Sequence, residues 1–175
     1  MAVLKKKLFN IEIPQINFTT AVVARTEDEV VNRVIVLDLT RFLKGRGLEA
    51  RLIVSKNNNV LVGNFFSLKL FGEYIRQMMR TGISYVEDSF VCISKDGQKL
   101  RIKPFLITRR KVHRSVRNAL RQKCNEFLKD YSKQKDSEEL FFEVITGKLP
   151  KDLQKVLKRV YPLSLCEIRV LEKEK

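Results

Sequence analysis

The chain has 175 residues, 44% of them hydrophobic, a size and composition that predict a folded domain and exclude a disordered segment. No apolar run approaches the roughly 20 residues of a membrane-spanning helix, and polar residues follow the first lysines too soon for a signal peptide, so we expect no membrane partner. The formal net charge of +15 favours an anionic partner.

The early part of the chain contains short runs rich in β-branched and aromatic residues, which predict strands. They lie at residues 8–13, 20–25, 33–40, 48–55 and 60–66. Ser67 is placed to cap a helix that runs to about Thr81, because apolar residues follow at helical spacing and Gly82 suits the position after a helix. Arg80 lies on the outer side of this predicted helix and extends its basic surface.

A β-hairpin is predicted next, with strands at residues 85–94 and 98–108 joined by Lys95-Asp96-Gly97. The Asp-Gly pair favours a type I′ turn, in which both central residues have positive φ. Alternation on the second strand places three cations on one face of the hairpin. They are Lys99, Arg101 and Lys103. Pro104 indicates an edge position or a bulge.

An amphipathic helix is predicted from about residue 111, where apolar residues recur every three or four positions. Arg110, Arg114, Arg117 and Arg121 follow the same spacing, so we expect one ridge of guanidinium groups beside the apolar stripe. The planar fork of arginine suits phosphate, since it donates two parallel hydrogen bonds.

Positive charge is concentrated in this middle region. Residues 95–123 contain eleven basic residues and one acidic residue, so they carry +10 of the net charge of +15. Like charges repel within a folded domain, and nucleic acid is the commonest polyanion that offsets the cost.

Two shorter helices and a last strand complete the predicted fold. The sequence Asp136-Ser137-Glu138-Glu139 resembles a capping box, Gly147 suits a helix end, and a strand is expected at residues 165–171. The order of elements predicts an α+β fold in a single domain of residues 1–175. An antiparallel β-barrel of about seven strands would occupy residues 8–108, with one inserted helix, and helices would fill residues 111–162.

Catalytic, metal and disulfide chemistry find little support in the sequence. His113 is the only histidine, no nucleophile or Walker-type motif occurs, and no cofactor is expected. Cys92, Cys124 and Cys166 lie far apart, an odd number without C-x-x-C spacing. We expect three buried free thiols and therefore a reducing, cytoplasmic compartment.

Several stretches, in the same order along the chain, resemble the archaeal and eukaryotic small-subunit ribosomal protein S-one-e family, also called S-three-a. They are SKDGQKLRIKP at 94–104, ITRR at 107–110, GKL at 147–149, VYPL at 160–163, EIR at 167–169 and YIR at 74–76. The resemblance spans about residues 8–171 and is closest to the archaeal members in length.

The resemblance implies a β-barrel with attached helices, bound to small-subunit rRNA on the platform of the subunit, near the messenger exit and the 3′ end of the rRNA. The implied partners are rRNA, neighbouring ribosomal proteins and mRNA near the exit site. The candidate RNA-contact residues are Lys5, Lys6, Lys7, Arg80, Lys99, Arg101, Lys103, Arg109, Arg110, Lys111, His113, Arg114, Arg117 and Arg121.

Three other interpretations remain open from sequence. A single-strand-binding barrel acting away from the ribosome would present aromatic side chains for base stacking, but Phe65, Phe66, Tyr85, Phe90 and Phe105 fit a core or its rim better. An RNA-processing enzyme would need His113 or convergent carboxylates. A basic amphipathic segment can also bind anionic membrane, although the predicted core needs its apolar stripe.

Overall fold

The computed structural model describes residues 6–43, 45–57 and 60–174, and within them the chain forms nine strands and four α-helices. This confirms the α+β class. The strands are β1 (Lys7–Ile13), β2 (Phe18–Ala24), β3 (Val34–Asp38), β4 (Leu48–Asn57), β5 (Val60–Leu70), β6 (Tyr85–Glu87), β7 (Phe90–Ile93), β8 (Lys99–Thr108) and β9 (Leu163–Lys173). The helices are α1 (Gly72–Met78), α2 (Arg114–Gln134), α3 (Ser137–Thr146) and α4 (Lys148–Leu157).

The chain divides into two compact units, the first of which contains residues up to Leu37 together with Ala50–Phe66. Strands β1 and β2 form an antiparallel hairpin, and β1 also pairs with β5 in parallel. Ile11, Val30 and Val54 are buried in its small core. Strand β1 ends at Ile13, as predicted, and Pro14 then begins a short 3₁₀ turn.

The second unit contains Asp38–Glu49 and the chain from Ser67 onward, and it carries the basic region. Strand β8 is central, because it pairs with β9 along one side and with β6 and β7 along the other. Helix α2 contacts β6 and β7, while α4 contacts β9. Both the strands and the helices contribute buried side chains, for example Leu100 and Ile102 of β8 and Leu120 of α2.

A closed antiparallel barrel is not confirmed. Hydrogen-bonded neighbours run β2-β1-β5 in the first unit and β5-β9-β8-β6 in the second, and among the described residues neither run closes on itself. The parallel β1–β5 pair also departs from an all-antiparallel arrangement. The structure has nine strands where eight were predicted, seven for the barrel and one at residues 165–171, because the strand expected at residues 85–94 is interrupted at Asp88-Ser89.

The helix predicted between Ser67 and Thr81 is half wrong. Strand β5 continues to Leu70, because Ser67, Leu68 and Lys69 pair with β9. The helix that follows covers only Gly72–Met78. Pairing with a distant strand therefore overrides the local helical spacing.

The prediction of three buried free thiols is confirmed for Cys92, Cys124 and Cys166. Burial raises the pKa of the Cys124 thiol to about 12, with a smaller contribution from the charge of Asp88. Cys92 also accepts a hydrogen bond from the Ser132 hydroxyl of α2 at 3.3 Å. These thiols serve packing within the second unit.

Candidate nucleic-acid interface

The connection between β8 and α2 is held in place by two hydroxyl side chains. Thr108 is fully buried, and its hydroxyl oxygen accepts a hydrogen bond from the Ser84 N–H at 3.1 Å. That oxygen also lies 2.7 Å from the Arg110 carbonyl oxygen. The Val112 N–H donates to the Ser84 hydroxyl at 3.2 Å. Residues 111–113 are not helical, and α2 begins at Arg114 rather than at residue 111.

Five cations surround the beginning of α2, and we call them the α2 basic cluster. They are Arg109, Arg110, Lys111, Arg114 and Arg117. All five are exposed, and none of their side chains forms an ion pair or hydrogen bond within the part of the chain that the structure describes. No acidic residue occupies the first turn of α2. The positive charge of the cluster is therefore not neutralised locally.

The backbone at the start of α2 adds to this positive character. His113 is the N-cap residue, is exposed and makes no side-chain capping hydrogen bond. The first N–H groups of a helix lack intrahelical partners, and the helix dipole is positive at this end. The positive end of the dipole repels cations placed here, so their position destabilises the free helix slightly. A phosphate would be stabilised both by the N–H groups and by the cations.

The predicted ridge of four arginines is only partly present. Arg114, Arg117 and Arg121 lie on α2, but Arg110 precedes the helix. Arg121 also differs from the other two, because its Nε lies 3.8 Å from Asp88 Oδ2 and its Nη2 donates to the Glu87 carbonyl oxygen at 3.4 Å. Its charge is partly used within the chain.

The cationic face of β8 also contains carboxylates. Lys99, Arg101 and Lys103 share the more exposed face of the strand, as the alternation predicts. However, Arg101 Nε donates to Glu174 Oε1 at 2.8 Å, and Glu172 of β9 lies directly across from Arg101. The Lys99 and Lys103 side chains form no ion pair among the described residues.

The hairpin turn differs from the predicted type I′ geometry. Ser94 and Gln98 close a loop of three residues, and Gly97 has φ +75°. Asp96 is not among the described residues with positive φ, so the loop belongs to the three-residue class that ends in a left-handed glycine. Pro104 does mark a bulge, as expected, since the β8–β9 register shifts at that residue.

Asp96 in this loop caps α3. Its Oδ2 accepts a hydrogen bond from the Ser137 N–H at 2.8 Å, whereas Asp136, the expected cap, makes no capping bond. The bond from the Ser137 N–H and a weaker one involving Asp136 lower the pKa of Asp96. The hairpin is thereby fixed to the start of α3.

The other candidates are scattered along the chain. Arg80 is exposed shortly after α1 in the second unit, and Lys6 and Lys7 are exposed in the first unit. Lys5 lies outside the described residues. Among these, none of the described side chains lies on the same secondary-structure element as the α2 basic cluster.

Two cations that sequence analysis did not select lie beside Arg109. Lys155 of α4 and Lys158, the C-cap residue of that helix, line a surface cleft with it. The sequence did not single out these two lysines, because the acidic residues among residues 124–175 reduce the net charge of that region to +1.

Aromatic stacking and metal binding find no support in the described residues. Phe65 and Phe105 are buried, Phe66 and Phe90 are half-buried, and only Tyr85 of the aromatic candidates is exposed. No described group of three histidine, cysteine or acidic side chains has the geometry to hold a metal ion. Among the described helices, none combines the length and apolar character needed to cross a bilayer.

Comparison with known proteins gives a consistent result. A model of the ribosomal S3Ae family matches residues 2–175. The small ribosomal subunit protein eS1 of Methanothermobacter thermautotrophicus is 35% identical over 111 residues, covering 62% of this chain and 57% of that protein. The eS1 protein of Saccharolobus islandicus is 30% identical over 116 residues, covering 66% and 56% respectively. The chain thus matches just over half the length of these curated relatives.

Proposed function

This chain belongs to the ribosomal S3Ae family, as its sequence resemblance predicts, and on that premise we propose that it is a structural constituent of the small ribosomal subunit. Its partners are then small-subunit rRNA and neighbouring ribosomal proteins, with mRNA near the exit site, and its place in the cell is on cytoplasmic ribosomes. Relatives named small ribosomal subunit protein eS1 support this role. The family assignment also supports a role without catalysis.

We propose that, among the candidate RNA-contact residues, those of the α2 basic cluster bind rRNA phosphates most strongly. The observation that carries the proposal is the uncapped start of α2 surrounded by five exposed cations that have no partner among the described residues. Backbone N–H groups and guanidinium groups then converge on the same anion. Phosphate contacts of this kind position a protein on RNA without reading its sequence.

The other candidate residues form a secondary set in this proposal. Lys99, Lys103, His113 and Arg80 add further RNA contacts, while Arg101 and Arg121 contribute less because carboxylates already engage them. Lys6 and Lys7, with Lys5 beyond the described residues, are proposed as further contacts. We also propose that the chain acts as one rRNA-binding domain, since β4 and β5 each contribute residues to both units.

Salt dependence of RNA binding tests the proposal. The affinity of the full chain for a small-subunit rRNA fragment is measured by fluorescence anisotropy over a series of salt concentrations. If all five cluster cations neutralise phosphates, log K should fall against log salt with a slope of about 3.5–4.5. Arg114→Ala/Arg117→Ala should reduce that slope by about 1.4–1.8.

The matched control is Lys129→Ala/Lys133→Ala on the same helix, which should leave the slope almost unchanged. A flat salt dependence for the parent chain contradicts RNA binding through phosphates. Ribosomal assembly needs a separate readout, namely co-migration of the tagged chain with small subunits in a sucrose gradient. Absence from that fraction, with RNA binding intact, would favour an RNA-binding protein that acts away from the ribosome.

A further inference from the structure

A surface cleft of about 270 Å³ lies in the second unit, where the last turn of α4 meets the ends of β8 and β9. Six residues line it, namely Arg109, Gln154, Lys155, Lys158, Pro162 and Leu163. Strand pairing explains the convergence, because Thr108 pairs with Leu163. Arg109, the residue after Thr108, and Pro162, the residue before Leu163, therefore lie at the same end of the strand pair.

The polar groups of the cleft are available to a ligand. Arg109 and Lys158 have no side-chain partner in the described part of the chain, whereas Lys155 pairs with Asp152 at 2.9 Å. The Gln154 carboxamide likewise makes no hydrogen bond to any described residue. The negative end of the α4 dipole accounts for lysines near its last turn. It does not account for Arg109, which comes from a different element.

The remaining surface of the cleft is apolar. Pro162 is exposed and Leu163 is 4% exposed, so a proline ring lies beside a packed leucine. A volume of about 270 Å³ is slightly smaller than the roughly 300–1,000 Å³ of pockets for drug-sized ligands. The volume of the cleft therefore suits one small group rather than an extended ligand, and its cations suit an attached anion.

We propose that this cleft binds one unpaired nucleotide of RNA. The base lies between the Arg109 guanidinium and the Pro162 ring, Gln154 hydrogen-bonds to the base edge, and Lys158 holds a flanking phosphate. RNA-binding proteins recognise unstacked bases in this way, by flat contacts on the faces and hydrogen bonds on the edges. Because a carboxamide both donates and accepts, Gln154 does not restrict the base to one identity.

This proposal rests on the RNA-binding function proposed above and adds a site for a base. Arg109 belongs to both sites, whereas the other four cations of the α2 basic cluster contact phosphates, which duplex and single-stranded RNA share. The cleft, in contrast, needs a nucleotide that has left its stack, such as a bulge. The chain should therefore prefer RNA with an unpaired nucleotide over a fully paired duplex of equal length.

The test compares two RNA duplexes that differ only by a single bulged nucleotide. Binding to the full chain is measured by fluorescence anisotropy for the parent, Gln154→Ala, Lys158→Ala and the control Lys151→Ala, an exposed lysine on α4 outside the cleft. We expect Gln154→Ala and Lys158→Ala to weaken binding of the bulged RNA about tenfold relative to Lys151→Ala. Gln154→Ala should leave binding of the paired duplex unchanged within about twofold.

A photocrosslink provides a second measurement. With 4-thiouridine at the bulge, the crosslink should fall on Arg109 or on a residue between 154 and 163. If the parent binds both RNAs with steep salt dependence but the cleft variants match Lys151→Ala, or if the crosslink falls elsewhere, the nucleotide site is overturned and RNA binding stands. If the parent binds neither RNA, the proposed function itself fails, and the nucleotide site fails with it.

Discussion

The two ends of helix α2 differ in how they relate to the core. No residue of the first part, residues 114–119, is buried, and we call this part the free end. The remaining part, residues 120–134, is the packed end, in which Leu120, Cys124, Leu128 and Ser132 are buried. One continuous helix therefore has an anchored portion and a portion that extends beyond the hydrophobic core.

The cations of the two ends have different surroundings. In the packed end, Lys123 lies 3.3 Å from Glu126 and Lys133 lies 3.9 Å from Asp130. Lys135, the C-cap residue that follows the packed end, pairs with the buried Glu143. In the free end, Arg114 and Arg117 have no such partner among the described residues. Apart from Lys129, the cations of the packed end thus have acidic neighbours, whereas the cations of the free end do not. The difference teaches that one end of α2 is suited to stabilise the fold and the other to bind a polyanion.

The strongest test of this comparison is charge reversal at the free end. Arg114→Glu/Arg117→Glu removes two attractive contacts and adds two repulsive ones, so RNA affinity should fall on the order of 100-fold at moderate salt. The free energy of unfolding should change by less than about 0.5 kcal/mol, because neither side chain is buried. Fluorescence anisotropy and urea denaturation measure the two quantities.

Charge reversal at the packed end is its control. Lys129→Glu/Lys133→Glu makes the same change in net charge on the same helix, and we expect less than a tenfold loss of RNA affinity. Equal losses for the two double variants would mean that overall charge, rather than the position of the free end, determines binding.

The second test removes the Glu143 carboxylate, which contacts Tyr131 of the packed end and Lys135 just after it. Glu143 is 5% exposed and accepts hydrogen bonds from the Tyr131 hydroxyl at 2.7 Å and from Lys148 Nζ at 2.9 Å, in addition to its pair with Lys135. Glu143→Gln should lower the free energy of unfolding by about 1–3 kcal/mol, since it leaves two ammonium groups without their shared carboxylate. RNA affinity should remain within about twofold. A large loss of affinity would show that the two ends are coupled.

The same variant predicts a pH dependence. Burial opposes ionisation of Glu143, but hydrogen bonds from Lys135, Tyr131 and Lys148 outweigh it and hold its pKa below the ordinary value of 4.5. A lowered pKa in the folded state contributes stability above pH 4.5 that is lost as the pH falls through the folded-state value. The difference in unfolding free energy between parent and Glu143→Gln should therefore shrink below pH 4.5. A difference that stays constant there would contradict this role.

A smaller effect is expected where a carboxylate is removed from the β8 face. Glu174→Gln releases Arg101 from its ion pair and makes this face resemble the free end of α2. RNA affinity should rise about two- to threefold, because one exposed charge contributes modestly in water. Glu138→Gln, which changes an exposed acid on α3, provides the matched change in net charge. A similar rise in both variants would exclude a local effect.

The smallest effect concerns thiol reactivity. The buried Cys124 of the packed end, whose pKa is raised to about 12, should not react with a disulfide reagent in the native chain. Ala119→Cys places a thiol on the exposed free end and should react at the rate of a solvent-accessible cysteine. Rapid native-state labelling of Cys124 would mean that the packed end opens readily.

Local pattern was sufficient to predict much of the fold. Helices α2, α3 and α4 and the β7–β8 hairpin were predicted in the right order, because their signals repeat within a few residues. The continuation of β5 through Ser67–Leu70 was not predicted, since its partner strand β9 lies about a hundred residues further along the chain. Because the apolar residues around Tyr74 recur at helical spacing, the predicted helix began at Ser67 and wrongly included the last residues of β5.

The candidate site was predictable as a region but not residue by residue. The excess charge indicated the segment around α2, where the structure places five exposed cations that have no partner among the described residues. In sequence, however, Arg46, Arg101 and Arg114 are equivalent basic residues. Only the fold shows that Arg46 pairs with Glu167 at 2.7 Å and Arg101 with Glu174, while Arg114 has no partner among the described residues. The acids involved lie far from these arginines in the chain, beyond the reach of local spacing.

The bond between Asp96 and the Ser137 N–H has a consequence for folding kinetics. It joins residues 41 positions apart, so the first turn of α3 gains its cap only after the hairpin loop has closed. Contacts of long sequence separation form late and slow the overall reaction. Refolding of α3 is therefore expected to follow the hairpin, and Asp96→Ala should speed unfolding more than it slows refolding.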